Sequence, residues 1–402
     1  MLLLLLAAPA LLLPPHPSRA ARAVACASAG PTPEEWREFR AKLIAGGGLS
    51  GLQTTANADG GAPVPPEGEA APPPQADDVA PANLELLKAQ NEDLWNEYLL
   101  GGWAHESPLE AGGLLVRAPL PSQLAFQMRH APSSHWGAKL RARLAAAVPS
   151  DSSAAETQRI LSQWQANHRY CYRAAEAMVE EVMAAVAARA SNGRVAAADL
   201  SEGERQMVTL FAAAQEEWQQ VCLVVSASGE GNVCVAINRP LAKAVSERLA
   251  ALILNGAGGA PPPHSADVVS KFVRAFGEQA GVYVGGPTAQ AAPALLVHGH
   301  DLPGSTELAP GSRLFTGGVA AAIDGVLAGE YSPLDFRWFI GRHENLPTSG
   351  GAWRAVACAR PVALKQCLGL PKPLWHEVLE LCGGELAELS RMELLKRDDL
   401  QL

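Results

Sequence analysis

The segment VCLVVSASGEGNVCVAI, Val221 to Ile237, limits the folds open to this chain more than any other stretch. Two β-branched apolar runs flank Ser228 to Gly231, and that pattern predicts a buried β-hairpin. The second run stops at Asn238-Arg239-Pro240, a polar pair locked by proline, and a helix is expected from Ala242 to Leu254. Asn238 is expected to shape the corner by bonding its own backbone. Pro240 is expected to start the helix, where its missing N–H costs nothing. Arg239 is expected to aim its charge across the strand ends toward Gly285-Gly286.

Strands and helices interleave around this hairpin. Downstream, the pattern predicts helices over Ala266 to Phe276 and Val319 to Ala328, with strands at Val282 to Val284 and Ala294 to His298. Further strands are expected at Phe336 to Gly341 and Ala352 to Cys358, then helices over Pro373 to Leu381 and Glu385 to Lys396. Upstream, GGLLVRAP (Gly112 to Pro119) reads as a strand and Asn83 to Trp103 as a helix. Short strands in hairpin-linked pairs favour α+β over a doubly wound parallel sheet. Residues 129–217 are Ala-rich and helical in period. There Leu161, Trp164, His168, Cys171, Ala175, Met178 and Val182 recur at three- and four-residue steps, predicting one helix face packed on a partner. His168 is expected to be a tolerated, partly exposed position on that stripe.

The organisation expected is a leader over residues 1–30, then a short helix and a Gly/Pro/Ala-rich linker over 31–82. An N-terminal helix over 83–107 precedes an α+β domain, 108–402, interrupted by the helical insertion 129–217. The apolar stretch MLLLLLAAPALLLPP is broken by Pro9 and falls short of the roughly 20 residues a spanning helix needs. It reads as a signal-peptide core, although its start lacks positive charge. The following HPSRAARAVACASAG bears Arg and Ser and no acid, like a transit peptide. Together they predict a plastid address reached through the endoplasmic reticulum, with secretion as the competitor and no membrane span in the mature protein.

The net charge of −9 argues against a strongly electrostatic nucleic-acid binder. Residues 218–402 carry 15 Lys+Arg against 17 Asp+Glu, a net of −2, so no basic domain is hidden there. The seven cysteines are an odd set without a CxxC pair and read as buried thiols rather than a disulfide framework or zinc site. Cys222 and Cys234, flanking the hairpin, are the pair to test for a bridge.

No GxSxG, Walker A or HExxH spacing occurs. GGGLSG (Gly46 to Gly51) has the form GxGxxG but follows a helix and leads into low complexity, so it carries no nucleotide reading. HGHD, His298 to Asp301, follows a strand and would need further converging ligands to hold a metal. HEVLE, His376 to Glu380, lacks the second histidine of a zinc helix and is expected on a helix surface. The glycines of Gly285-Gly286-Pro287 and Gly317-Gly318 would let backbone approach an anion, with Arg239 and Arg337 supplying forks. Against this stands a structural reading, of tight turns and an arginine tying a turn to a carbonyl. No catalytic residue, cofactor or metal ligand is assigned.

With these elements in place, GGLLVRAP, AINRP (Ala236 to Pro240), VYVGGP (Val282 to Pro287), ALLVH (Ala294 to His298) and FRWFIG (Phe336 to Gly341) occur in an order that resembles the AlgH/YqgE family. The likeness covers residues 108–128 and 218–402. It is closest to a plastid-targeted plant and algal branch, through WREFRAKLIAG (Trp36 to Gly46), WAHE (Trp103 to Glu106) and GGELAELSR (Gly383 to Arg391). The resemblance implies an α+β fold with a bifurcated, curved sheet forming a pseudo-barrel flanked by helices. It implies no established enzymatic activity, and a regulator label that does not show DNA binding. It also marks Asn238, Arg239, Pro240, Gly285, Gly286, Pro287, His298, Arg337 and Gly341 as signature or ligand positions. Two departures stand out: RHENLPTSGGAW (Arg342 to Trp353) lacks the Gly-Trp and Gln-Leu-Glu passages expected after FRWFIG, and the insertion 129–217 separates strands normally joined by a short link.

Three functions follow for testing. The first is a non-enzymatic plastid protein that binds a protein partner or a small anionic ligand. The second is an enzyme on a phosphorylated or acyl substrate, which requires Arg239, Arg337 and His298 to converge. The third, a transcriptional regulator, rests on family naming alone.

Overall fold

In the computed structural model the described residues are 11–12, 81–190, 194–257, 264–367 and 373–396. The expected helix at Pro33 to Ile44, nearly all of the linker and the leader lie outside them, apart from Leu11–Leu12, which pairs antiparallel with Arg194–Val195. Cys26 also lies outside.

Where one helix was expected over Asn83 to Trp103 there are two, α1 (Pro81–Gln90) and α2 (Glu92–Gly101). The break falls at Asn91, whose side chain accepts from the Leu94 amide at 2.9 Å and so caps a new helix. Strands β1 (Ala104–Glu106) and β2 (Leu114–Arg117) follow. The chain then makes five helices: α3 (Leu120–His130), α4 (His135–Ala146), α5 (Ala154–Ala166), α6 (His168–Ala188) and α7 (Glu202–Glu216). They share a core of their own, built on Leu124, Met128, Trp136, Leu140, Cys171 and Met207. The three-and-four stripe therefore spans two helices instead of one. Asn167 ends α5 and caps α6 by accepting from the Tyr170 amide at 3.0 Å. His168, expected partly exposed, is 6% exposed, because it opens the helix that packs onto the rest of the molecule.

The hairpin forms as expected, from β3 (Val221–Ser228) and β4 (Gly231–Ala236). Next come β5 (Pro240–Ala242), α8 (Glu247–Asn255), α9 (Ala266–Phe276) and β6 (Gly281–Val284). β7 (Leu295–His298), β8 (Ser305–Glu307), β9 (Phe315–Gly317), α10 (Val319–Ala328), β10 (Arg337–Ile340), β11 (His343–Glu344) and β12 (Trp353–Cys358) lead to α11 (Arg360–Leu364), α12 (Leu374–Cys382) and α13 (Gly384–Leu394).

The strands form two six-stranded sheets, ordered β11-β4-β3-β2-β12-β1 and β8-β9-β7-β10-β6-β5. Only β10 and β6 run parallel; the other neighbours within these two sheets are antiparallel. The class is α+β, as expected, but the sheets do not close into a barrel. Each sheet ends in strands of two or three residues, which pair with an inner neighbour only. Period-2 alternation sorts the side chains. Leu114, Val116, Leu223 and Val235 of the first sheet meet Tyr283, Val297 and Phe339 of the second in one shared core. The opposite faces carry Leu115, Cys222, Val224 and Trp353 in one case and Val282, Leu296 and Trp338 in the other.

The chain crosses between sheets twice, from β4 to β5 and from β10 to β11. At this node the Ala236 amide donates to the Gly285 carbonyl and the Gly285 amide to that of Ile340, both at 2.8 Å. A Cβ on Gly285 would lie 2.3 Å from the Gly341 oxygen, and one on Gly286 2.2 Å from the Arg342 carbonyl carbon. Backbone crosses backbone here, and only glycine fits.

Candidate functional site

The corner after β4 is structural, and three expectations about it are corrected. Asn238 does not bond its own turn: its Oδ1 accepts from the Val221 amide at 2.9 Å and its Nδ2 donates to the Gln219 carbonyl at 2.8 Å. It thereby clips the entry of β3 to the exit of β4. Pro240 opens the edge strand β5, where a residue without an N–H offers nothing to a foreign strand. The helix starts later, at Glu247, because the Ser246 hydroxyl accepts from the Leu249 amide and caps it. Arg239 donates to the Trp218 carbonyl, tying the turn to the strand entry rather than reaching toward Gly285-Gly286.

The three side chains required by the anionic-substrate reading do not meet. Arg337 pairs with Val297 in register, so His298, the next residue, projects from the opposite face of the second sheet. Arg239 sits beside Val284, at the far end of β6 from the Gly281 that pairs with Arg337. Arg337 is fully buried and donates to the carbonyls of Ala363 at 2.5 Å and Lys365 at 3.4 Å, at the C-terminal end of α11. A guanidinium suits those helix-end carbonyls.

His298 is likewise committed. Its Nδ1 accepts from the His300 amide at 3.3 Å, which assigns the proton to Nε2, 3.0 Å from the Gly317 carbonyl. Burial pushes its pKa down to about 4, so the ring is neutral. His300 turns instead toward Asp335 at 3.3 Å. Among the described residues no cluster of His, Cys, Asp or Glu could hold a metal ion. Cys222 and Cys234 are free buried thiols on neighbouring strands, not a bridge. Pro287 is exposed beside the node.

HEVLE is not on a surface. His376 and Glu377 are each 1% exposed, because the helix α12 lies in the shared core. Lys365 Nζ pairs with Glu377, which also accepts from the Tyr98 hydroxyl at 3.1 Å. Burial and this carboxylate together push the Tyr98 phenol far up. Ser390 donates to Glu380 at 3.1 Å, and His376 Nδ1 lies 2.9 Å from the same hydroxyl. The residue types are those of a hydrolytic triad, but the wiring is not. The hydroxyl proton points to the carboxylate, so the imidazole is placed to donate to the serine instead of activating it.

A cleft open to solvent, of about 350 Å³, lies among the described residues at the β1–β12 edge of the first sheet. Glu106, Ser107 and Leu109 form one side, and Phe126 of α3 and the loop ending at Gly351 form the other, with Trp353 and Arg354 between them. Gly351 has φ +77°, and a Cβ there would lie 2.6 Å from the Phe126 ring, so the glycine makes room for the aromatic wall. The Arg354 guanidinium sits 5.3 Å from the centre of that ring and pairs with Glu106. Arg354 is 16% exposed and Glu106 45%. The cleft thus combines an aromatic face with a shielded cation. Sequence reasoning assigned no site to these residues, although it marked WAHE, which ends in Glu106, and the departure at Arg342 to Trp353, which contains Gly351.

Residues 211–387 match the family model described as AlgH-like. That stretch of the chain is similar to AlgH-like proteins. Two solved structures are similar at low identity. One is the crystal structure of a Corynebacterium diphtheriae protein, at 20% identity and TM-score 0.29, covering 43% of this chain and 82% of that one. The other is the solution structure of the AlgH protein of Pseudomonas aeruginosa, at 18% identity and TM-score 0.29, covering 43% and 83%. No curated protein matches the chain. The cleft draws β12 and the 345–351 loop from inside the AlgH-like match, and β1 and Phe126 from before it. No helix among the described residues is long and apolar enough to cross a membrane.

Proposed function

We propose that the AlgH-like domain acts as a binding protein, and that its ligand is a small anion bearing an apolar or aromatic group, held in the β1–β12 cleft. The observation that carries this reading is Arg354, shielded on the Phe126 ring and paired with a half-exposed glutamate. Glu106 is half-exposed, so its carboxylate can swing into solvent and leave Arg354 to an incoming carboxylate. The ligand's apolar part would cover Phe126 and Leu109, while Ser107 and Thr348 offer hydroxyls at the rim. A volume near 350 Å³ sits at the small end of ligand pockets.

Calorimetric titration with benzoate-type carboxylates and their neutral alcohol analogues tests the assignment. The acids are expected to bind, the alcohols not, and Arg354→Gln is expected to abolish binding while leaving the fold intact. Equal affinity for acids and alcohols, or an Arg354→Gln variant that binds normally, refutes it.

Residues 1–30 are proposed to direct the protein to a plastid, on the apolar core and acid-free Arg/Ser stretch of the leader. A reporter fused to them is expected in that organelle, and a secreted reporter would favour the competing address. A regulator acting on DNA has the net charge of −9 against it.

A further inference from the structure

The five helices between β2 and β3 form a bundle with its own apolar core, but α6 meets α13 differently. Tyr172 is the one buried side chain of α6 in the shared core. Around it the contact is ionic. Arg129 of α3 forks onto Glu385 at 2.6 and 3.1 Å, Arg169 reaches Glu388 at 3.2 Å, and Lys396 reaches Glu176 at 2.7 Å and Glu393 at 2.6 Å. Tyr172 donates to Glu393. A polar interface of this kind is the sort across which units of one chain move.

In the middle of the seam lies His168, the first residue of α6. Its side chain is 5% exposed, and its Nδ1 has no hydrogen-bond partner, with the nearest carboxylate oxygen, on Glu388, at 4.0 Å. The charges facing it come in cancelling pairs. Glu385 and Glu388 of α13 stand against Arg129 of α3 and Arg354 of β12. Each glutamate already holds an arginine, since Glu385 is bound by Arg129 and Glu388 by Arg169. On α6 itself the neighbours are Arg169, Cys171 and Tyr172, whose ring lies 6.4 Å away. An imidazolium placed here would be buried without an uncommitted counter-charge, and that is unfavourable.

We propose that this seam is a latch, and that protonation of His168 releases α6, and with it the helical bundle, from the C-terminal helix. The neutral ring fits the closed seam, whereas the charged ring is hydrated only when the seam opens. Burial holds the His168 pKa below the ordinary value near 6.5, against the partly offsetting pull of Glu385. The sign follows from linkage. The open form binds the proton more readily, so closure is complete above about pH 6.5 and weakens as pH falls below it. Each unit of depression gives about a tenfold loss of closure at the acid end.

Hydrogen exchange of the full chain between pH 8 and 5, corrected for intrinsic rates, reads the latch. Amides of residues 168–176 and 384–394 are expected to lose protection on acidification before those of β3 and β10 do. His168→Gln is expected to abolish that early loss. Selective ¹³C labelling of histidine in the unmodified protein provides a second reading, since His168 must titrate over the same pH interval in which the seam opens. Seam and β-strand amides that lose protection together, a His168→Gln variant with unchanged pH dependence, or a His168 titration apart from the opening would each overturn the proposal.

Discussion

Glu377 and Lys365 are each 1% exposed, so their attraction competes with the desolvation of two full charges. Breaking such a pair from one side leaves a bare charge inside, whereas replacing both partners does not. Glu377→Ala is therefore expected to destabilise the protein by about 3–5 kcal/mol in urea unfolding. The Lys365→Met, Glu377→Leu double variant is expected to recover most of that loss. The sequence around Glu377 suggested a helix surface because its pairing is not local: Lys365 lies 12 positions upstream, outside the helix, and Tyr98 279 positions upstream. The same distance hides the cleft, since Arg354 and Glu106 are 248 positions apart and neither belongs to a spaced motif. Gly285, Gly286 and Gly341 were visible as glycines; that they make room for one another is visible only once two backbones cross.

Elements with an apolar period and a local stop were legible. α9 and α10 begin and end where the pattern predicts, at Ala266–Phe276 and Val319–Ala328. Elements decided by a cap or by a distant partner were not. Three side chains, Asn91, Asn167 and Ser246, set helix starts that periodicity placed elsewhere or overlooked. β5 exists because Pro240 and Ala242 find Tyr283 and Val282 on β6, a pairing no local propensity announces. The weight of a cap can be measured at Asn167. Asn167→Ala is expected to lower stability by about 1 kcal/mol. Hydrogen exchange should place the loss in the first turn of α6; a loss spread evenly over the bundle would mean Asn167 acts through packing.

At the scale of the molecule, both sheets are buried on both faces, so a charge forced onto either face acts on the fold. His298 lies on the second sheet with its pKa depressed to about 4, against about 6.5 when unfolded. The unfolded chain binds the proton first, so the neutral ring supports folding above pH 6.5. That support is lost as pH falls from 6.5 through 4, by about 3 kcal/mol at most. Urea unfolding at pH 7.5 and 4.5 is expected to show the drop, and His298→Gln to show less of it. A variant as acid-sensitive as the parent would assign the effect to His168 and His343, which burial also depresses.

The order β3-β2-β12 in the first sheet carries one more consequence. The stretch similar to other AlgH-like proteins begins at residue 211, after β2 has already been laid down. A fragment cut at that boundary would keep β3 and β12 but lose the stave between them. The two would face one another across a vacant slot two strand spacings, about 9–10 Å, wide. What similarity outlines as a domain is thus a barrel-maker's pile with its middle plank missing, and the plank is stored before the helical bundle. The stretch that matches the family model and the stretch that completes the sheet are different lengths of the same chain.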